Sequence, residues 1–248
     1  MNPGEYMDNF DFQAIGIIHS CYSEKFGIPR QPGLVTAAPA TLELYAPYDC
    51  PEALAELQGF SHVWVVFVFH QAMRGDWKPT VRPPRLGGNR RIGVFASRSP
   101  FRPNPIGISA VMLEDIQCRN GHCQLTLRGG DFLHGTPVLD IKPYLPYADG
   151  LPDAHGGFAA QPPENEMMVV FSAVAAAQCA TWERDQYPGL RQLIEQVLHA
   201  DPRPAYRAGR EDKQSFGMRL YDIDVKWIVS GKRIEVTALL PYKGENKP

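Results

Sequence analysis

The sequence predicts a mainly β fold, with an antiparallel β-barrel domain followed by a smaller α+β C-terminal domain. Three observations support this prediction. Short apolar segments with strand-like alternation recur through the first 147 residues, and proline and glycine are both frequent, at 23 and 22 of 248 residues. Apart from one short segment near residue 50, helical patterns occur only in the last third of the chain. Many short strands separated by turn residues are typical of a barrel or a sandwich.

The barrel strands are predicted in chain order from alternation and from β-branched content. They cover 14–18, 41–45, 62–70, 93–96, 108–113, 123–128 and 137–141. The segment 62–70 is apolar on both faces and almost wholly β-branched or aromatic, which is typical of a central strand. Asp49 and Pro51 mark the start of one short helix, and Gly59 marks its end.

The composition changes after the barrel. We assign residues 1–147 to the barrel, 148–164 to a linker with three prolines and three glycines, and 165–248 to the α+β domain. In that domain we predict a strand at 167–171, helices at 173–187 and 190–198, and closing strands at 218–229 and 233–240. The apolar residues of the second helix fall at amphipathic spacing. They are Leu190, Leu193, Ile194, Val197 and Leu198.

The composition is that of an ordinary globular protein and argues against several other classes. Hydrophobic residues make up 44% and charged residues 21%, and no apolar run is long enough to span a membrane. The formal net charge of −2 argues against indiscriminate coating of nucleic acid. The five scattered cysteines fit a reducing cytoplasm. Cys118 and Cys123, with His122 between them, are a weak zinc pattern, and we predict no metal site.

One segment departs from this average. Residues 77–104 contain seven cations and no acidic residue. These cations are Lys78, Arg82, Arg85, Arg90, Arg91, Arg98 and Arg102. The segment is either a solvated basic loop or a site for a partner that bears phosphate or carboxylate. Interspersed prolines restrict the free loop, and a disordered basic tail would not need that stiffness, so we favour the site.

Common catalytic and cofactor motifs are missing from the sequence. There is no glycine-rich fingerprint after a strand, no phosphate-binding loop, no Gly-x-Ser-x-Gly elbow and no His-Glu-x-x-His motif. A Rossmann-type cofactor site is therefore unsupported. His70, at the end of the apolar strand, is either a strand-end histidine with internal contacts or a ligand contact.

Five long motifs carry a family resemblance. They are "EKFGIPRQPGL" (24–34), "FSHVWVVFVFH" (60–70), "GVFASRSPFRPNPIGIS" (93–109), "GTPVLDIKPYLPY" (135–147) and "DPRPAYR" (201–207). They closely resemble the TrmO family, also called TsaA-like or YaeB-like. The resemblance implies an S-adenosylmethionine-dependent methyltransferase, acting on N6 of threonylcarbamoyladenosine at position 37 of tRNA. It also implies a β-barrel with a smaller C-terminal domain, and a homodimer.

The resemblance also implies cofactor contacts, residue by residue. They fall on Pro29, Arg30, Gln31, Phe69, His70, Arg98, Ile108, Leu133, His134, Gly135 and Thr136. Relatives often have Asp where this chain has His134. A backbone contact would survive that change, whereas a side-chain contact would not. An arginine among these residues suits the cofactor's carboxylate.

The methyl acceptor is a nitrogen whose lone pair is delocalised, so loss of its proton would help the transfer. Asp140 and Tyr144 are the candidate groups to accept or relay that proton. Lys142 could instead hold an RNA phosphate or the threonyl carboxylate. An equally supported alternative is that Asp140 and Lys142 only fix the turn that follows them.

We predict that the protein binds tRNA. The arginines of the basic segment are expected to contact phosphates, and a second group near residue 205 is expected to combine phosphate contacts with stacking of Tyr206 on an unpaired base of the anticodon loop. The first group is Arg82, Arg85, Arg90 and Arg91, and the second is Arg203, Tyr206, Arg207 and Arg210. The second group could instead be a stiff surface turn. The cofactor motifs all precede residue 148, so the barrel alone is expected to hold the cofactor.

The sequence is also compatible with two other classes of function. One is a regulator that binds tRNA or the cofactor without catalysis. The other is a methyltransferase that acts on a different substrate.

Overall fold

The computed structural model describes residues 10–73, 76–163, 167–203 and 214–244. Eight strands occupy the first part of the chain. They are β1 (Gly16–Ser20), β2 (Pro39–Leu44), β3 (His62–Val68), β4 (Thr80–Val81), β5 (Ile92–Gly93), β6 (Ile106–Arg119), β7 (His122–Arg128) and β8 (Thr136–Pro143). Six of them close into an antiparallel barrel in the order β1-β2-β7-β6-β3-β8, while β4 and β5 form a separate two-stranded ribbon. The predicted barrel is confirmed, and closure leaves none of its strands with an open edge.

Alternation along the strands fills the barrel interior. Val63, Val65 and Phe67 of β3 are fully or almost fully buried, and the intervening residues are half-buried on the outer face. The backbone of β6 approaches the Phe67 ring closely at Gly107. A Cβ there would lie 2.3 Å from the Phe67 ring, so only glycine fits opposite this phenylalanine.

The smaller C-terminal domain contains helices and a four-stranded sheet. After a single helical turn, α1 (Pro146–Asp149), the chain forms β9 (Met168–Phe171), α2 (Ala173–Asp185), α3 (Leu190–His199), β10 (Gln214–Leu220), β11 (Ile223–Ser230) and β12 (Arg233–Pro241). The sheet order is β10-β11-β12-β9, and β9 is parallel to β12. The prediction of one strand at 218–229 was wrong. The chain reverses at Tyr221, whose φ of 55° lies in the left-handed region, and two strands result.

The hydrophobic core of this sheet extends into the N-terminal half of the chain. Tyr22 and Val35, from the segment between β1 and β2, are buried together with Trp227 and the apolar face of α3. Cys21 accepts a 2.8 Å backbone hydrogen bond from Tyr221. The segment 21–38, which includes Pro29 to Gln31, therefore packs on the C-terminal sheet as well as on the barrel. A barrel truncated after residue 150 would lose this support.

Two other predicted elements differ in detail. The predicted strand at 93–96 is β5 followed by a 3-10 turn, Val94–Ala96, and the early helix is two 3-10 turns, Pro51–Leu54 and Leu57–Gly59. Short runs interrupted by proline and glycine close 3-10 turns more readily than α-helices.

Cys118 and Cys123, considered above as a weak zinc pattern, are joined by a disulfide across the β6–β7 hairpin. His122, between them, lies 3.3 Å from the carboxylate of Asp49. Within the described ranges no three His, Cys, Asp or Glu side chains group as a metal site would require. None of the helices in those ranges is long and apolar enough to cross a membrane.

Candidate active site

The basic arm, residues 76–105, leaves the barrel after β3 and returns to it at β6. The β4–β5 ribbon and a 2.9 Å hydrogen bond from the Val94 amide to the Pro79 carbonyl hold its two halves together. At its base, the Phe69 amide donates to the Pro105 carbonyl at 2.7 Å. Arg102 turns back to donate to the Ser97 carbonyl at 3.2 Å. The proline-rich arm is thus folded against itself and against the end of β3.

An open cleft of about 1820 Å³ runs along this arm. Its other walls come from residues 30–34 and from 156–163, so the predicted linker forms part of the site. The Arg85 guanidinium donates to the carbonyl of Gln161 and ties that wall to the arm. Most charged side chains in the lining are cations. Among the described residues of the lining, Asp76 is the single acidic one. The basic residues of the wall are Arg30, Lys78, Arg82, Arg85, Arg91, Arg98 and Arg102.

Arg98 and Gln31 come from distant parts of the sequence and meet in this cleft. Nη1 of Arg98 donates to Oε1 of Gln31 at 2.6 Å. Arg30 lines the same cleft and donates from Nη2 to the carbonyl of Arg203 at 3.3 Å. Pro29 is buried behind them. Three of the predicted cofactor residues therefore share one cationic wall, suited to a carboxylate.

Arg203 itself is not placed to reach RNA. It is 5% exposed, and its guanidinium donates to both oxygens of Asp201, at 2.7 and 2.8 Å. Because the side chain is buried and paired with Asp201, we assign Arg203 to the support of Arg30 and withdraw it as an RNA contact. Tyr206, Arg207 and Arg210 lie outside the residues that the structure describes.

Phe69 and His70 directly follow β3, and Ala72 and Met73, just after them, line the cleft. The Phe69 ring packs against Phe67, with centroids 5.0 Å apart, and His70 begins the 3-10 turn His70–Ala72. Burial lowers the pKa of His70, so its imidazole is neutral near pH 7. Its buried Nδ1 makes no hydrogen bond with the described residues. A neutral ring with an unused polar atom is compatible with a neighbouring cationic ligand.

The turn 133–136 precedes β8 and does not line the cleft. Its backbone is already engaged, because the amides of His134 and Gly135 donate to the carbonyls of Tyr22 and Ile18 at 2.8 Å. Thr136 Oγ1 donates to the Leu133 carbonyl at 2.7 Å. Both amides that could have contacted a ligand through the backbone are thus used internally, while the His134 side chain is exposed.

Ile108 and Asp140 lie on the outer face of the barrel, on strands that flank β3 on its two sides. Val66 is directly opposite Ile108 on one side and Asp140 on the other. The Asp140 carboxylate accepts from Lys142 Nζ at 2.6 Å and from the Ile141 amide at 2.9 Å. Tyr144 is half-buried, with its ring 5.6 Å from that of Trp64. Ile108, Asp140 and Tyr144 are not among the residues that line the cleft.

A partly buried polar pair near Arg98 was not predicted. Ser109 points into the barrel from β6 and donates to Oδ1 of Asp131 at 2.6 Å. Burial raises the pKa of Asp131, while Ser109 and the charge of Arg98 oppose that rise. A signal was available in the sequence, because Ser109 interrupts the inward positions Gly107, Val111 and Leu113.

The predicted RNA arginines fall into two groups. Arg82, Arg85 and Arg91 line the cleft, whereas Arg90 is exposed outside it. The cleft therefore joins phosphate-binding candidates and cofactor candidates along one surface.

Comparison with known proteins identifies the family of the chain. A model of the tRNA-methyltransferase O N-terminal domain matches residues 17–150, and one of the TrmO C-terminal domain matches 164–242. A tRNA (adenine(37)-N6)-methyltransferase from Escherichia coli is 52% identical over 95% of this chain and all of its own length. One from Eikenella corrodens is 53% identical over 75% of this chain and 99% of its own.

A solved structure gives the same result. A crystal structure of TrmO from Pseudomonas aeruginosa superposes with a TM-score of 0.79 at 42% identity, covering 94% of this chain and 99% of that one. Both domains, the barrel and the sequence relatives thus agree: the chain belongs to the TrmO family.

Proposed function

We propose that the chain is an S-adenosylmethionine-dependent methyltransferase that methylates N6 of threonylcarbamoyladenosine at position 37 of tRNA. The family and its relatives named tRNA (adenine(37)-N6)-methyltransferase support this proposal. The observation that carries it is the shared cleft, in which the Gln31–Arg98 pair lies on the same wall as Arg82, Arg85 and Arg91. One cleft can then receive both a carboxylate-bearing cofactor and an RNA backbone.

The residues present fit the cofactor's chemistry. When bound, S-adenosylmethionine supplies a methyl group activated by the sulfonium. Arg98, oriented by Gln31, is placed to bind its carboxylate through charge-assisted hydrogen bonds. His70 is neutral, so it adds no charge against the sulfonium. The roles of Phe69 and Ile108, and those of Leu133, His134, Gly135 and Thr136, remain predictions from the family resemblance.

Catalysis of this transfer depends chiefly on positioning. Holding N6 in line with the methyl group lowers the barrier without a strong base. The 2.6 Å contact of Asp140 with Lys142 and its bond to the Ile141 amide support the role of fixing the turn after β8. Tyr144, packed on Trp64, supports the same turn. We therefore infer that neither residue is the principal proton acceptor, and that Lys142 is less available to RNA than the arm is.

The RNA partner we propose is the anticodon loop of tRNA, and the location we propose is the cytoplasm. Arg82, Arg85 and Arg91 would contact phosphates along the cleft, and exposed Arg90 would extend that contact. Phosphate contacts position a nucleic acid but carry little sequence information. The choice of one loop adenosine must therefore come from other groups in the cleft.

We further propose that two copies associate through the outer face of β3 and β6. Ile106, Ile108 and Met112 on this face are 39%, 55% and 42% exposed, and they form one apolar strip. The strip continues the base of the cleft at Pro105, so a second copy would border the site. Substitution of Ile108 by Glu should shift the protein to monomers in analytical ultracentrifugation. Wild-type protein that is already monomeric would contradict this proposal.

The function is tested by nucleoside analysis of tRNA from cells with and without the gene. Loss of the N6-methylated threonylcarbamoyladenosine in the deletion strain supports the proposal. An unchanged nucleoside would favour one of the two alternatives, a non-catalytic regulator or a methyltransferase with another substrate. Cofactor turnover with and without tRNA then separates those two.

A further inference from the structure

Two exposed aromatic side chains face each other on the basic arm. Trp77 lies three residues before β4, and Phe95 lies two residues after β5. Their ring centroids are 6.5 Å apart, with the ring planes tilted by 33°. Trp77 is 52% exposed and Phe95 is 74% exposed. Both rings line the same cleft as Arg98.

The fold of the arm does not explain why these rings are aromatic. Val94, next to Phe95, is the residue that anchors the ribbon, because it is 1% exposed and its amide bonds to Pro79. Phe95 projects the opposite way and leaves most of its surface in water. Exposed apolar surface of this size is unfavourable unless a partner covers it.

The charges around the two rings indicate which partner would cover them. Lys78, Arg82, Arg85 and Arg91 share the cleft with them, and Asp76 is its acidic residue among those described. Cations beside exposed aromatic rings are the combination that binds single-stranded nucleic acid, since phosphates take the cations and base faces take the rings. A duplex hides the faces of its bases, so the partner must have unpaired bases.

We propose that Trp77 and Phe95 form a stacking platform for unpaired nucleobases of the RNA substrate. This inference rests on the proposed function, and it deepens it by naming the groups that distinguish a loop from a duplex. The arginines hold the backbone of any RNA that enters the cleft, and the two rings add affinity only where bases are unstacked. In this way the arm selects the loop, and the modified adenosine is presented near Arg98.

The test uses the full-length protein with Phe95→Ala, and with Phe95→Tyr as the matched variant that keeps the ring. Affinities are measured for an anticodon stem-loop RNA, for a fully paired RNA of the same length and for S-adenosylmethionine. Stacking is worth about 1–3 kcal/mol per base, so Phe95→Ala should weaken stem-loop binding roughly 5- to 150-fold. Phe95→Tyr should restore it. Duplex and cofactor affinities should be unchanged.

A spectroscopic readout checks the same contact. Trp77 is the most exposed of the four tryptophans, so its fluorescence should be quenched by the stem-loop and not by the duplex. The RNA-dependent quenching should disappear in Trp77→Phe, which keeps a ring at that position.

Unchanged stem-loop affinity in Phe95→Ala would overturn the proposal, as would an equal loss for the stem-loop and the duplex. Loss of S-adenosylmethionine affinity with normal RNA binding would also overturn it, because the rings would then serve the cofactor. The proposed function fails by a different result, namely wild-type protein that does not methylate tRNA. The two failures are therefore distinguishable.

Discussion

Arg98 donates a hydrogen bond to Gln31 at 2.6 Å across 67 residues of sequence. The two residues come from separate loops, one that packs on the C-terminal sheet and one that belongs to the basic arm. Their meeting defines the cationic end of the cleft. Because Gln31 holds the guanidinium through a single Nη1 donor, the other donors of Arg98 remain available for a carboxylate.

The first prediction follows from this pair. Arg98→Ala should weaken S-adenosylmethionine binding about tenfold or more, because a charge-assisted hydrogen bond contributes roughly 1.5–3 kcal/mol. Titration calorimetry on the folded variant measures the change. Arg90→Ala is the matched control, since Arg90 lies on the same arm but outside the cleft wall. Equal cofactor affinity in wild type and Arg98→Ala would remove Arg98 from the cofactor site.

A second prediction concerns the phosphate contacts. The double variant Arg82→Gln with Arg85→Gln should bind tRNA more weakly and reduce the salt dependence of that binding by roughly 1–2 in log–log slope, because fewer counterions are released. Cofactor affinity should stay the same. Arg184→Gln, on the exposed surface of α2, provides the control. If the double variant keeps the wild-type salt slope, these arginines do not contact phosphate.

A third prediction concerns the pH dependence of stability. Burial lowers the pKa of His70 in the folded state below its ordinary value of about 6.5. The stability that neutral His70 supports is therefore present above pH 6.5 and is lost as the pH falls through the folded pKa. His70→Gln should lose less stability than wild type between pH 8 and pH 5. Urea denaturation at the two pH values measures this, and parallel losses in both proteins would contradict it.

A fourth prediction concerns Asp131, whose pKa is shifted in the opposite direction to that of His70. Burial raises the pKa of Asp131 above its ordinary value of about 3.9. The stability linked to protonated Asp131 is present at low pH and is lost as the pH rises through the folded pKa. Asp131→Asn should therefore gain stability relative to wild type as the pH rises from 4 to 8, while its Oδ1 still accepts from Ser109. A difference between the two proteins that does not vary with pH would refute the prediction.

The sequence predicted the barrel strands from alternation in some segments and from β-branched and aromatic content in others. Residues 63–69 are apolar throughout, and the structure shows that Val63, Val65 and Phe67 point into the barrel while their neighbours lie on the outer face. The break at Tyr221 was missed because a tyrosine rarely adopts a positive φ, and neither glycine nor proline marks that turn. Local pattern thus predicted strands and failed where an unusual backbone conformation was required.

The site was predictable as a set of residues but not as an arrangement. The family motifs pointed to Gln31 and Arg98, yet no local pattern relates residues 67 positions apart. Arg203 was assigned to RNA because its neighbourhood is basic, while Asp201, two residues away, holds its guanidinium inside the protein. Charge density in the sequence therefore overstated the number of exposed cations. That the barrel alone holds the cofactor stays a prediction, and the packing of segment 21–38 on the C-terminal sheet was not visible in the sequence.

The central claim is that one cleft brings the cofactor and position 37 of tRNA together. The most direct measurement incubates the purified full-length protein with S-adenosylmethionine carrying a labelled methyl group. The tRNA either carries the threonylcarbamoyl group on adenosine 37 or lacks it, and the nucleosides are analysed by mass spectrometry. We predict label on N6 of threonylcarbamoyladenosine in the modified tRNA, with a much lower rate for Arg98→Ala at limiting cofactor. Label at another nucleoside, or none in the modified tRNA, would contradict the account.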